Sequence, residues 1–173
     1  DAGCLVTTTS LSDASVERLR SDGFDARRLD LERSETFFAI ADATDIVICP
    51  APSDSGEEGY KRLYGAGIPR LCAWLAERRP LPRVVYTSST SVHSGLAGDW
   101  LDESAPVELG RPKPAALAAA EAAVMAAPLS GTVLRLAGIY GAERNRLHAL
   151  ETGTLAAPAP TDIANIIHVD DAA

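Results

Sequence analysis

Along the 173 residues, apolar positions gather into short runs of two kinds, and the two kinds alternate. Cys4–Thr9 is rich in β-branched residues and predicts a strand. Ser10-Leu-Ser-Asp then supplies helix-capping residue types, Val16 and Leu19 recur at i, i+3, and Gly23 stands where a left-handed closing residue is wanted, which together predict a helix. Ala26–Leu31 predicts a second short strand, and Ser34–Ala41 a short amphipathic helix with its aromatics turned to the sheet. Ile46-Val-Ile-Cys49 is continuously apolar, as a parallel strand covered on both faces must be, and predicts a central strand. Pro50–Gly56 is a loop. Glu57–Arg79 predicts a helix broken near Gly65 and Gly67 and restarted with Pro69 in an early turn, its apolar face made by Leu71, Trp74 and Leu75.

Arg83–Thr87 predicts another buried strand, ending in the hydroxyl cluster Thr87–Ser91. An irregular stretch from His93 to Arg111 leads to an alanine-rich helix over Ala115–Ala126. Gly131–Leu136 predicts a strand, Ala137–Gly141 the turn leaving it, Asn145–Leu150 a short helix, 156–160 a loop and Ile163–Val169 extended chain. Asp170 and Asp171 suit the first turn of a further helix. Strands alternating with helices at this spacing mean crossover units: an α/β fold, doubly wound, with a mostly parallel sheet. Ligands of such sheets lie outside the carboxyl ends of the strands, which directs attention to Thr8–Ser10, Asp30, Ala51 and Pro52, Ser88–Ser91 and Ala137–Gly141.

Composition narrows the partners. The length suits about one domain over residues 1–173. A formal net charge of −8 argues against a nucleic-acid partner, and no apolar run approaches the ~18 residues of a membrane span. No signal-peptide succession opens the chain. Cys4, Cys49 and Cys72 are odd in number with no C-x-x-C spacing, and are expected to be inert buried thiols in a reducing, cytoplasmic setting.

Three separated stretches carry a resemblance. Val84-Val-Tyr-Thr-Ser-Ser-Thr-Ser-Val-His-Ser-Gly95, Trp100-Leu-Asp-Glu103 with Pro106, and Leu134-Arg-Leu-Ala-Gly-Ile-Tyr-Gly141 resemble, in order and spacing, the extended short-chain dehydrogenase/reductases, the NAD-dependent epimerase/dehydratase family. Asn165-Ile-Ile-His-Val-Asp-Asp171 is similar to the segment that closes the family's substrate site, and the nucleoside-diphosphate-sugar epimerase-like atypical members are nearest. The resemblance implies a Rossmann-type domain and an NAD(P)-binding oxidoreductase or epimerase acting on a nucleotide-sugar-like or small alcohol or carbonyl substrate. It also implies a homodimer paired through the Glu57–Arg79 and Ala115–Ala126 helices.

The same resemblance marks two departures. The family's first strand and G-x-G-x-x-G turn precede the strand at Leu5–Thr9, and no such glycine pattern occurs here, so the pyrophosphate cradle is absent. A truncated chain is the expected explanation, since losing that strand splits the sheet. The family's Tyr-x-x-x-Lys proton-transfer pair is missing as well: counting back from Glu121 puts Lys113 and Leu117 in its places. A cofactor-binding protein without turnover is therefore the alternative reading.

By motif, Ser89 takes the catalytic serine position, its hydroxyl meeting the substrate oxygen. Thr9, Ser10, Asp30, Ala51, Pro52, Thr87, Ser88, Ala137, Gly138 and Tyr140 take cofactor-facing positions, and Ser91, His93, Asn165 and His168 substrate-facing ones. Standing alone, the hydroxyl cluster reads as backbone satisfaction at a strand exit, His93 as a loop-packing residue, and Asp30 as a solvated strand-end carboxylate. Metal binding at His168, Asp170 and Asp171 is not expected. Thr9-Ser10 replaces the acidic residue that would bind the ribose 2′-hydroxyl of NAD, a slight lean to NADP, although a phosphate clamp then requires Arg18 or Arg20 to reach back from the helix.

Overall fold

The computed structural model describes residues 3–93, 100–126, 128–142, 150–153 and 165–173. β1 (Thr7–Ser10) and β2 (Asp25–Arg28) pair in parallel across α1 (Asp13–Ser21). Ser12 caps α1 by accepting from the Ser15 N–H at 3.2 Å, and Val16 is its buried residue. At the other end Gly23 adopts φ +91°, so that the Asp22, Gly23 and Phe24 N–H groups close back on the Arg18, Arg20 and Leu19 carbonyls.

The Ser34–Ile40 segment is a 3₁₀ helix. Phe37 joins the core that Ile48, Val84 and Tyr86 of the sheet share, whereas Phe38, expected there too, is exposed. Adjacent Phe37 and Phe38 bracket Trp74 edge-on, at 5.8 and 5.9 Å, and only Phe37 is buried.

A second parallel sheet has the order β3-β4-β5, from Asp45–Ile48, Arg83–Ser89 and Thr132–Leu136. The two sheets are not hydrogen-bonded to each other. Period-2 alternation puts Ile46, Ile48, Val84, Tyr86, Ser88, Val133 and Arg135 on one face and Val47, Val85, Thr87, Ser89 and Leu134 on the other. The first face packs on Ile68, Leu71 and Leu75 of α3 (Ile68–Ala76) and on Ala116, Leu117, Ala120 and Val124 of α4 (Pro112–Met125). On the second face Val47 is 65% exposed. The expectation that Ile46–Cys49 is a central strand is thus corrected: β3 is an edge of the described sheet and β4 its middle. An apolar run reports what a strand is built to bury, and not how many neighbours it has.

Cys4 and Cys49, expected to be buried, are exposed; Cys49 follows β3 directly onto this uncovered side. Only Cys72 lies in the core, where burial pushes its thiol up to about 11.

The helix beginning at Glu57 does not break. α2 (Glu57–Tyr60) runs through a π-helical stretch at Lys61–Gly67 into α3, with Pro69 in the first turn of α3. The wider π turn takes up the proline's missing donor and its ring. α4 starts at Pro112, three residues before the expected Ala115, because Pro112 and Pro114 both fit a first helical turn.

The turn expected at Ala137–Gly141 is instead a short strand, β6 (Gly138–Tyr140), held by its ladder to β7 (Ile166–His168). α5 (Val169–Ala172) follows, carrying Asp170 and Asp171 in its first turn. The loop at 156–160, residues 163–164, and the Asn145–Leu150 helix apart from Leu150 fall outside the described residues. Among those described, no helix is long and apolar enough to cross a membrane.

Candidate functional site

The carboxyl ends of β1, β3 and β4 carry the expected residues, and register decides which side chains each end presents. At the end of β1, Thr9 is exposed, Ser10 is half-buried, and the Ser10 carbonyl accepts from the Leu29 N–H at 2.9 Å. Parallel pairing sets Arg28 opposite Ser10. The Arg28 guanidinium reaches past the strand end, donating from Nε to the Leu11 carbonyl at 3.1 Å and lying 3.8 Å from the Asp13 carboxylate. Arg20, one of the two arginines expected to reach back, is committed elsewhere: Nε donates to the Ala26 carbonyl and Nη1 to Glu17. Arg18 is exposed on α1. Asp30 spends its carboxylate on its own turn, where Oδ1 accepts from the Glu32 N–H at 2.9 Å.

After β3, Ala51 is exposed and Pro52 half-buried. Their loop is pinned at two points. The Tyr64 hydroxyl donates to the Pro50 carbonyl at 3.0 Å, and burial pushes its pKa up to about 12, so it remains a neutral donor. Gly59 brings helix backbone so close to the loop that a Cβ there would lie 1.9 Å from the Asp54 carbonyl oxygen.

At the end of β4 the hydroxyl cluster divides by face. Thr87 donates to the Ile48 carbonyl at 3.3 Å, and the Ser89 oxygen accepts from the Ser91 N–H at 3.1 Å. The Ser89 hydroxyl proton has no acceptor among the described residues, which leaves it able to donate to a ligand oxygen. Ser88 is turned the other way. It is buried and donates to Glu121 Oε1 at 2.6 Å, so its side chain is removed from the expected cofactor contact.

Behind Ser88 lies a connected polar network. Glu121, 2% exposed, receives one edge of the Arg135 guanidinium through two bonds: Nε to Oε1 at 3.1 Å and Nη2 to Oε2 at 2.8 Å. Arg135 Nη1 lies 3.3 Å from the Glu103 carbonyl and 3.2 Å from His93 Nε2, and His93 Nδ1 lies 3.0 Å from the Pro106 carbonyl. Both His93 nitrogens are therefore engaged within the protein and the ring is buried, the arrangement that the loop-packing reading of His93 describes.

The β6–β7 pair comes to the same end. Asn165 Nδ2 donates to Thr90 Oγ1 at 3.1 Å, which ties the closing segment to the hydroxyl turn, and the Asn165 carbonyl accepts from the Gly138 N–H at 3.1 Å. Tyr140 meets His168 edge-on at 5.1 Å. His168 Nδ1 accepts from the Asp170 N–H at 3.3 Å, a capping bond that leaves the far side of the ring to face outward contacts. At the positions counted back from Glu121, the Lys113 ammonium lies over the Tyr60 ring, 5.1 Å from its centroid, and Leu117 is buried in the core.

Sequence reasoning did not single out Arg28, Tyr64 or Arg135, and used Glu121 only to count from. Two of these carried a signal: Glu121 is the one charge between Ala115 and Ala126, and Arg135 the one charge between Thr132 and Leu136. Lone opposite charges in apolar elements are buried at bearable cost only as a pair.

No family model matches the sequence, and no curated protein does. Solved structures do match. A protein described as an NAD-dependent epimerase/dehydratase from Methylobacillus flagellatus is 26% identical, with a TM-score of 0.66 over 96% of this chain and 66% of that one. A functionally unknown conserved protein from Silicibacter pomeroyi is 29% identical, with a TM-score of 0.65 over 98% and 57%. DesIV, the dTDP-glucose 4,6-dehydratase of Streptomyces venezuelae, solved as a double mutant with NAD and DAU bound, is 17% identical and shares the fold at a TM-score of 0.75 over 96% and 59%. The chain spans 57–66% of the length of these three. Its α/β architecture with parallel strands is the Rossmann-type fold of these structures, and the chain is similar to proteins described as NAD-dependent epimerase/dehydratases.

Proposed function

We propose that this chain forms much of an NAD(P)-binding site in an epimerase- or dehydratase-like oxidoreductase whose substrate is a nucleotide-sugar-like alcohol or carbonyl compound. The carrying observation is that Ser89 with its donatable hydroxyl, Thr90 with its tie to Asn165, and Ser10 with Arg28 opposite it each stand at the carboxyl end of a parallel strand. The dinucleotide, when bound, supplies hydride exchange at a carbon bearing oxygen. The residues fit its adenosine half: Ser10 offers a hydroxyl, Arg28 a guanidinium, and no carboxylate of β1 repels a 2′-phosphate. The pyrophosphate cradle is not among the 173 residues. Ser89 orients the substrate oxygen by donating to it, and Tyr140 and Asn165 bound the space beyond.

Arg28 strengthens the lean to NADP, because a bidentate fork suits a phosphate monoester. Fluorescence titration of the protein with NADPH and NADH tests both points. Saturation by NADPH at lower concentration than NADH is expected, and Arg28→Gln should abolish that difference by weakening NADPH roughly tenfold, about 1.4 kcal/mol. Failure to bind either dinucleotide overturns the reading.

One observation favours a second reading, a cofactor-binding protein without turnover: the positions of the proton-transfer pair hold a lysine engaged with Tyr60 and a core leucine. Binding without turnover over a panel of nucleotide sugars selects it. The proposal further includes a cytoplasmic setting and a homodimer paired through the α2–α3 and α4 helices.

A further inference from the structure

Arg135 touches three segments around the end of β4. Its planar guanidinium gives one edge to the Glu121 carboxylate on α4 and turns Nη1 to His93 Nε2 and the Glu103 carbonyl. Because the group is planar and donates in fixed directions, holding Nε and Nη2 fixes where Nη1 points. The chemistry at His93 is then determined. A carbonyl only accepts, so the contact with Pro106 requires a proton on Nδ1; a guanidinium only donates, so the contact with Arg135 requires a bare Nε2. The opposite tautomer would set N–H against N–H at 3.2 Å and leave the Pro106 carbonyl without its donor.

We propose that Arg135 is a positioning residue which, oriented by Glu121, locks His93 in the neutral Nδ1–H tautomer and so fastens the Glu103–Pro106 segment to the strand end that carries Ser88 and Ser89. Ser88 completes the arrangement from the other side, donating to the same Glu121 oxygen that receives Arg135 Nε. One guanidinium thereby sets the hydroxyl turn, the imidazole and the neighbouring segment together. The consequence for ligand binding rests on the reading proposed above; the tautomer lock does not.

Long-range ¹H–¹⁵N correlation of the imidazole groups in the protein tests the lock directly, the His93 signals being assigned by their disappearance in His93→Asn. The wild type should show one tautomer, protonated at Nδ1 and bare at Nε2. Arg135→Lys keeps the charge but has no fork, and Arg135→Met removes both; in each the single-tautomer pattern should be lost. Glu121→Gln keeps one acceptor oxygen for the fork and should retain more of the pattern than Arg135→Lys. A wild-type pattern with the proton on Nε2 overturns the proposal, and that result needs no variant to fold. An unchanged His93 pattern in folded Arg135→Lys overturns it as well. NADPH titration of the same samples separates the two proposals: a wild type that holds the tautomer yet binds no dinucleotide overturns the cofactor reading alone, whereas weakened binding in Arg135→Lys with the His93 pattern intact overturns the lock.

Discussion

A thiol reacts as its thiolate and only where reagent can reach it, and on both counts the three cysteines divide. Cys72 is enclosed by the core and its pKa is about 11, whereas Cys4 and Cys49 are exposed. Brief treatment of the native protein with iodoacetamide at pH 8 should therefore modify Cys4 and Cys49 and spare Cys72, with the third equivalent added only after unfolding; peptide mass spectrometry reads the outcome. The sign with pH follows from the raised value, since the Cys72 thiol remains protonated until pH approaches 11 and alkaline conditions short of that do not rescue its reactivity. At this scale the sequence makes some residues legible and hides others for a physical reason. Ser89 is legible because a run of hydroxyls after a buried strand is a local pattern. Arg28 is hidden because its place beside Ser10 depends on inter-strand register, which eighteen residues of separation do not encode locally. Ser88 and Ser89, neighbours in sequence, part company because successive strand residues face opposite ways.

Elements were more legible than their exact contours. Apolar runs located every strand from β1 to β5, capping residues located α1 and alanine content located α4, because those signals are local in the chain. The π stretch at Lys61–Gly67 has no such local signature: Gly65, Gly67 and Pro69 announce trouble, and only packing against α4 and the sheet decides between a break and a widened turn. Gly59 gives this helix its most demanding contact. Gly59→Ala would press a methyl into the Asp54 carbonyl, and since backbone rather than a flexible side chain must yield, a loss of about 1–3 kcal/mol or more in denaturant unfolding is expected. The same variant should loosen the Pro50–Gly56 loop, visible as weaker dinucleotide binding. Wild-type stability in Gly59→Ala would show that the loop moves aside at no cost.

For the whole molecule, class and connectivity could be read from alternation, and the partition between β1-β2 and β3-β4-β5 from the absence of the strand that the resemblance places between them, whereas register within each sheet is a non-local choice. The segment that follows β2 is held to α3 and the chain after it by side chains: Arg70 donates to the Leu31 carbonyl at 2.8 Å, Arg78 to the Ala41 carbonyl at 2.8 Å, and Phe37 meets Trp74 edge-on. β4, flanked on both sides and packed on α4, has far more holding it. Native-state hydrogen exchange should accordingly show α1 and β2 amides opening at lower free energy than those of β4 and α4; equal protection would mean one cooperative unit. The divided sheet has a thermodynamic corollary. Any ligand that touches Arg28 on one side and Ser89 on the other bridges two sheets that no hydrogen-bond ladder joins, so part of its binding energy goes into holding them together. Protection gained by the far end of α1 then becomes a gauge of occupancy, and a mutation that stiffens the Phe37–Trp74 joint should tighten binding without adding a single contact to the ligand.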